Sequence, residues 1–230
     1  MALYAVGDLH LSFSSDKPMD LFGNQWVNHY KKIEEHWDSI VYEEDTVLIP
    51  GDTSWAMTLN DAMVDLEWIN RRPGRKILIK GNHDYWWGSI NKLNSLFDNM
   101  HFIQNNFFNY DDYAVCGTKG WSTPIDDHRY TDKDEKIYNR EANRLKLSLE
   151  SAKMAGYTKF ITMLHYPPTN ESFEPSLFTN IMEEYRVEKA IYGHLHGEES
   201  FEVGISGLMN GIEYYLVSCD YLDFKLLRIL

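Results

Sequence analysis

Five short apolar runs, each followed by residues that can bind a metal ion, constrain the fold of this chain more than any other feature. The runs span residues 3–6, 46–49, 76–79, 160–164 and 189–192. A short apolar run bounded by turn residues is typical of a buried strand in a parallel sheet. In open α/β sheets, ligands bind beyond the carboxyl ends of such strands. The five strand ends are therefore predicted to bring their polar side chains to one place and to form a metal site there.

The motifs that follow the runs differ in how specific they are. In chain order they are Asp8-Leu9-His10, Gly51-Asp52, Gly81-Asn82-His83-Asp84, the single His165 and Gly193-His194-Leu195-His196. A Gly-Asp pair recurs by chance, whereas Gly-Asn-His-Asp combined with Gly-His-Leu-His, each after its own strand, is specific. In extended chain, residues i and i+2 point to the same side. Asp8 with His10, and His194 with His196, are therefore expected to aim both side chains inward.

Helical patterns lie between these runs. Apolar residues recur at three- and four-residue steps from Trp26 to Ile40, and Thr58 is placed to cap a second helix that ends near Arg71. A shorter helix is predicted over residues 89–97. A long helix is predicted near 134–155, with Gly156 where a C-terminal cap belongs. Alternating strands and helices predict right-handed crossovers and a parallel sheet, hence an α/β fold.

Further short strands are predicted in the middle and at the end of the chain. Residues 101–104, 107–110 and 113–117 are predicted to begin a second sheet, and residues 200–203, 213–218 and 225–229 to close it. No linker divides the chain, and its length suits one hydrophobic core. We therefore expect one domain over residues 1–230.

Composition limits the partners and the compartment. The net charge of −13, with 22 Lys and Arg against 35 Asp and Glu, makes long nucleic acid a disfavoured partner, because proteins that bind it usually carry a basic patch. No apolar stretch approaches the ~20 residues of a membrane span. No signal peptide is evident, so a cytoplasmic location is expected. Cys116 and Cys219 lie far apart and are predicted to be buried, reduced thiols.

The order of the motifs resembles that of the calcineurin-like metallophosphoesterases over most of the chain, from Asp8 to His196. The resemblance implies a four-layer α/β/β/α sandwich of two mixed β-sheets flanked by helices. It also implies a ligand set for two metal ions. One ion would be held by Asp8, His10 and His196, the other by Asn82, His165 and His194, with Asp52 bridging both. His83 would protonate the leaving oxygen as a general acid, and Asp84 would fix its tautomer and orientation.

The implied reaction is hydrolysis of a phosphate ester by a hydroxide held at the two metal ions. A small-molecule or nucleotide-like phosphodiester is the first expectation for the substrate. A mixture of His and carboxylate ligands suits manganese first, with iron or zinc as alternatives. Phosphomonoesterase, protein phosphatase and nuclease activities use the same chemistry and stay open, although the acidic composition disfavours a nuclease. A catalytically silent interaction scaffold also stays open, but such scaffolds can lack the His found here as His83. Nothing in the sequence favours hydrolysis of a non-phosphate bond.

Several other residues are less informative, and for each of them the structural interpretation is favoured. Isolated histidines are more often structural than ligands, which applies to His29, His36, His101 and His128. Five aromatic residues near the motifs can either wall a substrate pocket or pack in the core, namely Trp55, Trp86, Trp87, Trp121 and Tyr166. Arg129 and Arg140 are candidates for reaching a substrate phosphate, but Arg140 is interpreted as a surface charge. The oligomeric state does not follow from these residues.

Overall fold

Two β-sheets pack face to face in the computed structural model, which describes residues 1–124 and 130–230. The first sheet contains, in spatial order, β11 (Leu227–Arg228), β1 (Leu3–Ala5), β2 (Thr46–Ile49), β3 (Arg75–Leu78) and β4 (Met100–Phe102). Strands β1 to β4 run parallel, and β11 runs antiparallel to β1 at the edge. The carboxyl ends of three motif-bearing strands, β1, β2 and β3, therefore lie along one edge of this sheet.

The second sheet repeats this plan. Its spatial order is β5 (Phe108–Tyr110), β6 (Tyr113–Thr118), β7 (Lys159–Leu164), β8 (Lys189–Tyr192), β10 (Ile212–Leu216) and β9 (Gly207–Met209). The four central strands run parallel, and β5 and β9 are antiparallel at the two edges. Both sheets are therefore mixed, as predicted.

Helices cover the outer faces of both sheets. They are α1 (His29–Ile40), α2 (Leu59–Asn70), α3 (Ile90–Leu93), α4 (Asp132–Met154), α5 (Leu177–Glu184) and α6 (Glu198–Phe201). Side chains alternate along β1, so Tyr4 packs with α1 and α2, whereas Leu3 packs between the sheets against residues such as Ile161. The outer face of the second sheet packs with α4 and α5. The predicted α/β fold and its four layers are confirmed.

Some predicted elements differ from the observed ones. The first helix begins at His29, because Trp26 lies in a separate 3-10 turn, and the third helix covers only Ile90–Leu93. The strand predicted from residue 101 completes the first sheet instead of starting the second. The strand predicted at 200–203 is wrong: the amides of Ser200 and Phe201 bond back to the carbonyl of Gly197 and form the short α6. Strand β9 was not predicted.

Both cysteines are free and buried, which confirms the predicted reduced thiols. Among the helices formed by residues 1–124 and 130–230, none combines the length and the hydrophobicity that a membrane crossing requires.

Helix α4 has a capping motif at each end. Thr131 and Asp134 form a capping box at its beginning. At its end, Gly156 has a φ of +94° and donates to the carbonyl of Lys153, while Tyr157 donates to that of Ala152. This pair of bonds is a Schellman motif, which favours glycine at the position that Gly156 occupies. The predicted C-terminal cap is therefore present.

Replacing Gly156 with Ala is expected to lower the free energy of unfolding by about 1 kcal/mol, because an L-residue is strained at positive φ. A Cβ at Gly156 would contact nothing within 4 Å, so the effect isolates backbone strain. Gly88 has equally open space but no positive φ, which makes Gly88→Ala the matched control. Chemical denaturation of both variants provides the measurement. Equal stability of the two variants would contradict this explanation of the cap.

Candidate metal centre

The carboxyl ends of the two sheets meet at one junction. Gly7 follows β1, whereas Val217 and Cys219 follow β10. The amide of Gly7 donates to the carbonyl of Val217 at 2.7 Å, and the carbonyl of Gly7 accepts from the amide of Cys219 at 3.1 Å. These two bonds connect the two packed sheets at the carboxyl ends of β1 and β10. The structure brings all seven predicted ligands to this junction, namely Asp8, His10, Asp52, Asn82, His165, His194 and His196.

Left-handed backbone, not extended chain, aims several of these side chains. The φ angles are +56° at Asp8, +44° at His10, +48° at Asp52 and +74° at His194. The expectation that two-residue alternation in extended chain aims the pairs is therefore wrong. Each such conformation costs of order 1–3 kcal/mol in a non-glycine residue and persists only where the surroundings fix it. Here the amide of Asp8 bonds to the carbonyl of Gly51 at 3.1 Å, and that of His10 to the carbonyl of Asp52 at 3.0 Å.

Two glycines give the buried carboxylates room. A Cβ built on Gly81 would collide with the carboxylate of Asp52, and one built on Gly193 would collide with that of Asp8. Any other residue at these positions would push the carboxylate away from its place. The glycines of the motifs therefore allow close approach of backbone to the acidic groups.

One group of donor atoms lies around His196. Its Nε2 is 3.3 Å from Nε2 of His10 and 3.7 Å from Oδ1 of Asp8. Nε2 of His10 is also 3.8 Å from Oδ2 of Asp52. Nδ1 of His10 is buried and has no hydrogen-bond partner in the described part of the chain. These three residues and Asp52 are an N/O donor set of the kind that transition metals prefer.

A second group of donor atoms lies around His165. Its Nδ1 is 3.0 Å from the carbonyl of Pro50, so Nδ1 carries the proton and Nε2 carries a lone pair. That lone pair faces two oxygen atoms, Oδ1 of Asn82 at 2.6 Å and Oδ2 of Asp52 at 3.5 Å, and lies 3.2 Å from Nδ1 of His194. Acceptors converging on one point repel one another unless a cation lies among them. The residues present therefore fit a bound metal ion, and Asp52 borders both groups.

The charges at the centre also fit a cation. Burial, with a smaller contribution from Asp52, raises the pKa of Asp8 to about 7, and burial raises the pKa of Asp52. In the described part of the chain, the only basic side chains within 4.0 Å of these two carboxylates are histidines. Burial lowers the pKa of His165 to about 3 and that of His194 to about 2, so both imidazoles are neutral and free to bind a metal.

Asp220 is a functional residue that the motifs did not reveal. Its Oδ1 accepts from Nδ1 of His196 at 2.9 Å, and its Oδ2 accepts from the amide of Gly197 at 3.2 Å. Burial lowers the pKa of His196, but this hydrogen bond and the charges of Asp8 and Asp220 outweigh burial and raise it to about 9. A carboxylate that holds one nitrogen of an imidazole orients the other nitrogen toward a metal. The available signal was its place just after the predicted strand 213–218.

The contacts of Asp84 correct the role predicted for it. Its carboxylate accepts from the amides of Thr53, Ser54 and Gly81 at 2.7–3.2 Å and from Nε1 of Trp86 at 2.9 Å. No hydrogen bond joins Asp84 to the ring of His83 within the described residues. Since its acceptor sites point to these other donors, Asp84 ties the loop after β2 to the loop after β3 instead of orienting His83.

His83 is positioned by aromatic packing. Its ring lies on Trp55, with centroids 4.2 Å apart, and its Nε2 is 4.0 Å from Oδ2 of Asp52. Trp55 also stacks on His10 at 4.9 Å and 21°. The side chain of His83 is 35% exposed, so it is accessible to a ligand. Burial lowers its pKa, and the charge of Asp52 opposes that effect.

Three cavities border the centre. The first, which we call the aromatic cavity, measures about 310 Å³ and is lined by Trp26, Trp55 and His83 together with His10 and His196. The second, the hydroxyl cavity, measures about 370 Å³ and reaches His194 and Tyr166. The third, the basic cavity, measures about 300 Å³ and is lined by Asn82, Lys80, Lys119, Arg140, Glu141 and Arg144, among others. Each cavity reaches at least one predicted metal ligand.

The structure separates the less informative residues into two groups. Trp86 and Trp87 pack in the core, as favoured above, whereas Trp55, Tyr166 and Arg140 line cavities. Trp121 packs against Tyr166 at 5.2 Å.

The structural interpretation holds for three histidines. His29 bonds two backbone carbonyls, His36 accepts from the amide of Leu226, and His101 stacks on Phe108. His128 and Arg129 lie outside the described residues.

Asp52→Asn is expected to stabilise the metal-free protein by roughly 1 kcal/mol, because the amide can donate to Nε2 of His165 and removes one of two buried charges. The same change should abolish stabilisation by Mn²⁺, which for the unaltered protein is about 2.7 kcal/mol at a hundredfold excess over Kd. Denaturant unfolding near pH 8, with chelator or with Mn²⁺, measures both effects. Full stabilisation of the variant by Mn²⁺ would contradict the role of Asp52.

Asp220→Asn is expected to weaken metal binding by about tenfold or more, because an amide oxygen holds the imidazole of His196 less strongly than a carboxylate does. Competition with a fluorescent chelator measures the affinity. Asp98→Asn makes the same charge change at an exposed position before β4 and should leave the affinity unchanged. Equal affinities in the two variants would show that Asp220 does not support the centre.

Two phage proteins share part of this sequence. The chain is 39% identical over 79 residues to the gene 66 protein of Mycobacterium phage L5, and 48% identical over 58 residues to that of Mycobacterium phage D29. The matches cover 34% and 25% of this chain, and 38% and 28% of the phage proteins. The matched segments thus span well under half of each relative.

Two solved structures share the whole fold. A protein of unknown function, AQ665 from Aquifex aeolicus, matches with a TM-score of 0.55 and 18% identity, covering 99% of this chain and 95% of its own. The phosphopantetheinyl hydrolase PptH from Mycobacterium tuberculosis matches with a TM-score of 0.61 and 14% identity, covering 100% and 95%. Identities this low show a common fold and nothing finer.

The family model for calcineurin-like phosphoesterases matches residues 1–198, which include every motif from Asp8 to His196. This match covers most of the chain, and the donor groups found at the junction of the sheets suit a metal-dependent enzyme. The chain belongs to the calcineurin-like phosphoesterase family.

Proposed function

We propose that this protein is a two-metal phosphodiesterase that acts on a small-molecule or nucleotide-like phosphodiester. The observation that carries the proposal is the pair of acceptor groups around His196 and His165, with Asp52 between them. In this assignment Asp8, His10 and His196 would hold one ion. Asn82, His165 and His194 would hold the other, and Asp52 would be shared between the two sets of ligands. Manganese is the first candidate, with iron or zinc as alternatives.

When bound, two such ions neutralise phosphoryl oxygens and lower the pKa of a coordinated water toward neutrality. The protein supplies the fixed geometry. His165 and His194 present neutral lone pairs at physiological pH, because burial keeps their pKa values low. Asp8 is held by the amide of His194, which lies 3.0–3.1 Å from its two carboxylate oxygens, so its place does not depend on a flexible partner. Such preorganisation avoids reorganisation of the site during the reaction.

His83 is the proposed general acid. Its ring is accessible, lies at the wall of the aromatic cavity and is held near Asp52 by packing on Trp55. Burial lowers its pKa, but an anionic phosphate ester bound beside the ring would raise it and favour the protonated form. From this position the imidazolium can give a proton to the leaving oxygen, a step typically worth ~10²–10⁴-fold in rate.

A small substrate is supported by the size and charge of the surroundings. The three cavities measure about 300–370 Å³, which is the scale of small-molecule sites. The net charge of −13 opposes a long polyanion. The similarly folded PptH is a phosphopantetheinyl hydrolase, so this fold can support an enzyme that acts on an organic phosphate. The hydroxyl cavity is lined by four residues that carry hydroxyl groups, which suit a polar organic substrate: Ser122, Thr123, Tyr130 and Thr169.

Hydrolysis of bis(p-nitrophenyl) phosphate by metal-stripped protein, with and without Mn²⁺, tests the proposal. We expect turnover that depends on Mn²⁺ and exceeds turnover of the p-nitrophenyl monoester. A preference for the monoester would instead support a phosphomonoesterase. No turnover of either ester by protein with two bound ions would contradict the proposed activity.

His83→Asn is expected to lower kcat while metal content stays unchanged, since His83 is not assigned as a ligand. The loss should depend on the leaving group. It should approach ~10²–10⁴-fold for a dialkyl phosphodiester, whose alkoxide must be protonated to leave, and should be much smaller for bis(p-nitrophenyl) phosphate, because p-nitrophenolate needs no proton to leave. Equal losses for both leaving groups would contradict proton donation by His83.

A further inference from the structure

We propose that the basic cavity binds a second phosphate group of the substrate, on the Asn82 side of the centre. This inference rests on the proposed function, because it assumes that the scissile phosphate lies at the metal ligands. It narrows the substrate to a phosphate ester that carries another anionic phosphate within reach of the first.

The charge of the basic cavity is opposite to that of the protein. Four cationic side chains and one carboxylate line the cavity, whereas the chain as a whole has a net charge of −13. The four are Lys80, Lys119, Arg140 and Arg144. Gathering this many of the 22 basic residues around one cavity creates a local positive potential, and concave walls of low polarisability strengthen such a potential. The cavity is therefore suited to an anion.

The carboxylate in the wall fixes the arginines without using up their donors. Glu141 is fully buried and accepts from the hydroxyl of Thr118 at 2.7 Å, from Nη2 of Arg140 at 3.2 Å and from Nη1 of Arg144 at 3.0 Å. Each guanidinium has five N–H donors, so most of them remain available. Arginines held in this way lose less conformational entropy when they bind a phosphate. Arg140 is a surface charge, as interpreted from the sequence, with 56% of its side chain exposed, and it also lines the cavity.

The two lysines lack the partner that the arginines have. In the described part of the chain, neither Lys80 nor Lys119 has a carboxylate oxygen within salt-bridge distance. Nζ of Lys119 lies 4.0 Å from the ring centroid of Trp121. A partly buried ammonium without an anion is costly, and a bound phosphate would offset that cost.

The cavity opens onto the metal ligands. Asn82 lines it, and Oδ1 of Asn82 is one of the acceptors that face His165. The carbonyl of Lys119 accepts from the amide of His165 at 3.0 Å, so the lysine is held next to the same group. By contrast, the hydroxyl cavity contains the carboxyl side chains of Asp134 and Glu171, and the aromatic cavity contains that of Asp220, and these carboxylates repel a phosphate. Of the three cavities, the basic cavity is therefore the one whose charge favours a second phosphate.

The test uses the metal-loaded protein and inhibition of its hydrolysis of bis(p-nitrophenyl) phosphate. The inhibitors are straight-chain alkanediol bisphosphates of about three to six carbons, each compared with the alkanol monophosphate of the same length at constant ionic strength. We expect the best bisphosphate to bind at least about tenfold more tightly than its monophosphate, as one or two charge-assisted contacts allow. Symmetry alone accounts for only a factor of about two, by RT ln 2.

Variants test whether the tighter binding of the bisphosphate comes from the basic cavity. Lys80→Gln should reduce the preference for the bisphosphate by about threefold or more, and Lys80→Arg should retain it. Lys92→Gln removes the same charge from an exposed position in α3 and should leave both the preference and the basal activity unchanged. Equal reduction by Lys80→Gln and Lys92→Gln would overturn the inference, because it would show a general effect of net charge.

The two proposals fail in distinguishable ways. Absence of diester turnover would contradict the proposed function. Turnover with no bisphosphate of any length binding more than about twofold better than its monophosphate would leave that function intact and overturn the second-phosphate site.

Discussion

The rest of the structure depends on the burial of two carboxylates, Asp8 and Asp52, without a lysine or arginine partner among the described residues. Removing two charges from water is costly unless a cation and hydrogen bonds replace the lost hydration. The chain provides the hydrogen bonds from backbone amides, those of His194 and His83, and provides space by placing glycine at position 193 and at position 81. Among the described residues the imidazole of His196 is the one histidine side chain near these two carboxylates whose pKa is raised, so a bound metal ion would supply the remaining positive charge.

The packing of two mixed sheets, whose motif-bearing strands run parallel within each sheet, assembles this ligand set. Each sheet gathers the residues after its own strand ends, Asp8, Asp52 and Asn82 from the first and His165 and His194 from the second. The hydrogen bonds of Gly7 to the segment after β10 align the two edges. If the sheets were displaced by one residue along their strands, about 3.3 Å, the contact of 2.6 Å between Asn82 and His165 would be lost. The alignment of the two sheets along their strands therefore determines the geometry of the metal centre.

The sequence was sufficient for the features that depend on local patterns. Strand ends, helix α2 with its Thr58 cap and the Gly156 cap follow from apolar runs and turn residues, whereas the set of seven ligands followed from the resemblance of the motifs to a known family. Features that depend on partners distant in the chain did not follow. The carboxylate of Asp84 bonds to amides about 30 residues away, and Asp220 reaches His196 across 24 residues. Left-handed backbone at Asp8 and Asp52 was also missed, because it is fixed by loop-to-loop hydrogen bonds and not by residue type.

The centre and the basic cavity are complementary in an electrostatic sense. Within the described residues, the buried carboxylates of the centre have no lysine or arginine partner, and Lys80 and Lys119 in the cavity have no carboxylate partner. Both imbalances are unfavourable in the protein alone, and both are resolved when metal ions and an anionic ester are present together. Because Asn82 borders both places, metal binding that fixes its side chain also fixes one wall of the cavity. The metal ions would then contribute to substrate selection as well as to chemistry, by setting the distance between the two phosphates that the site accepts.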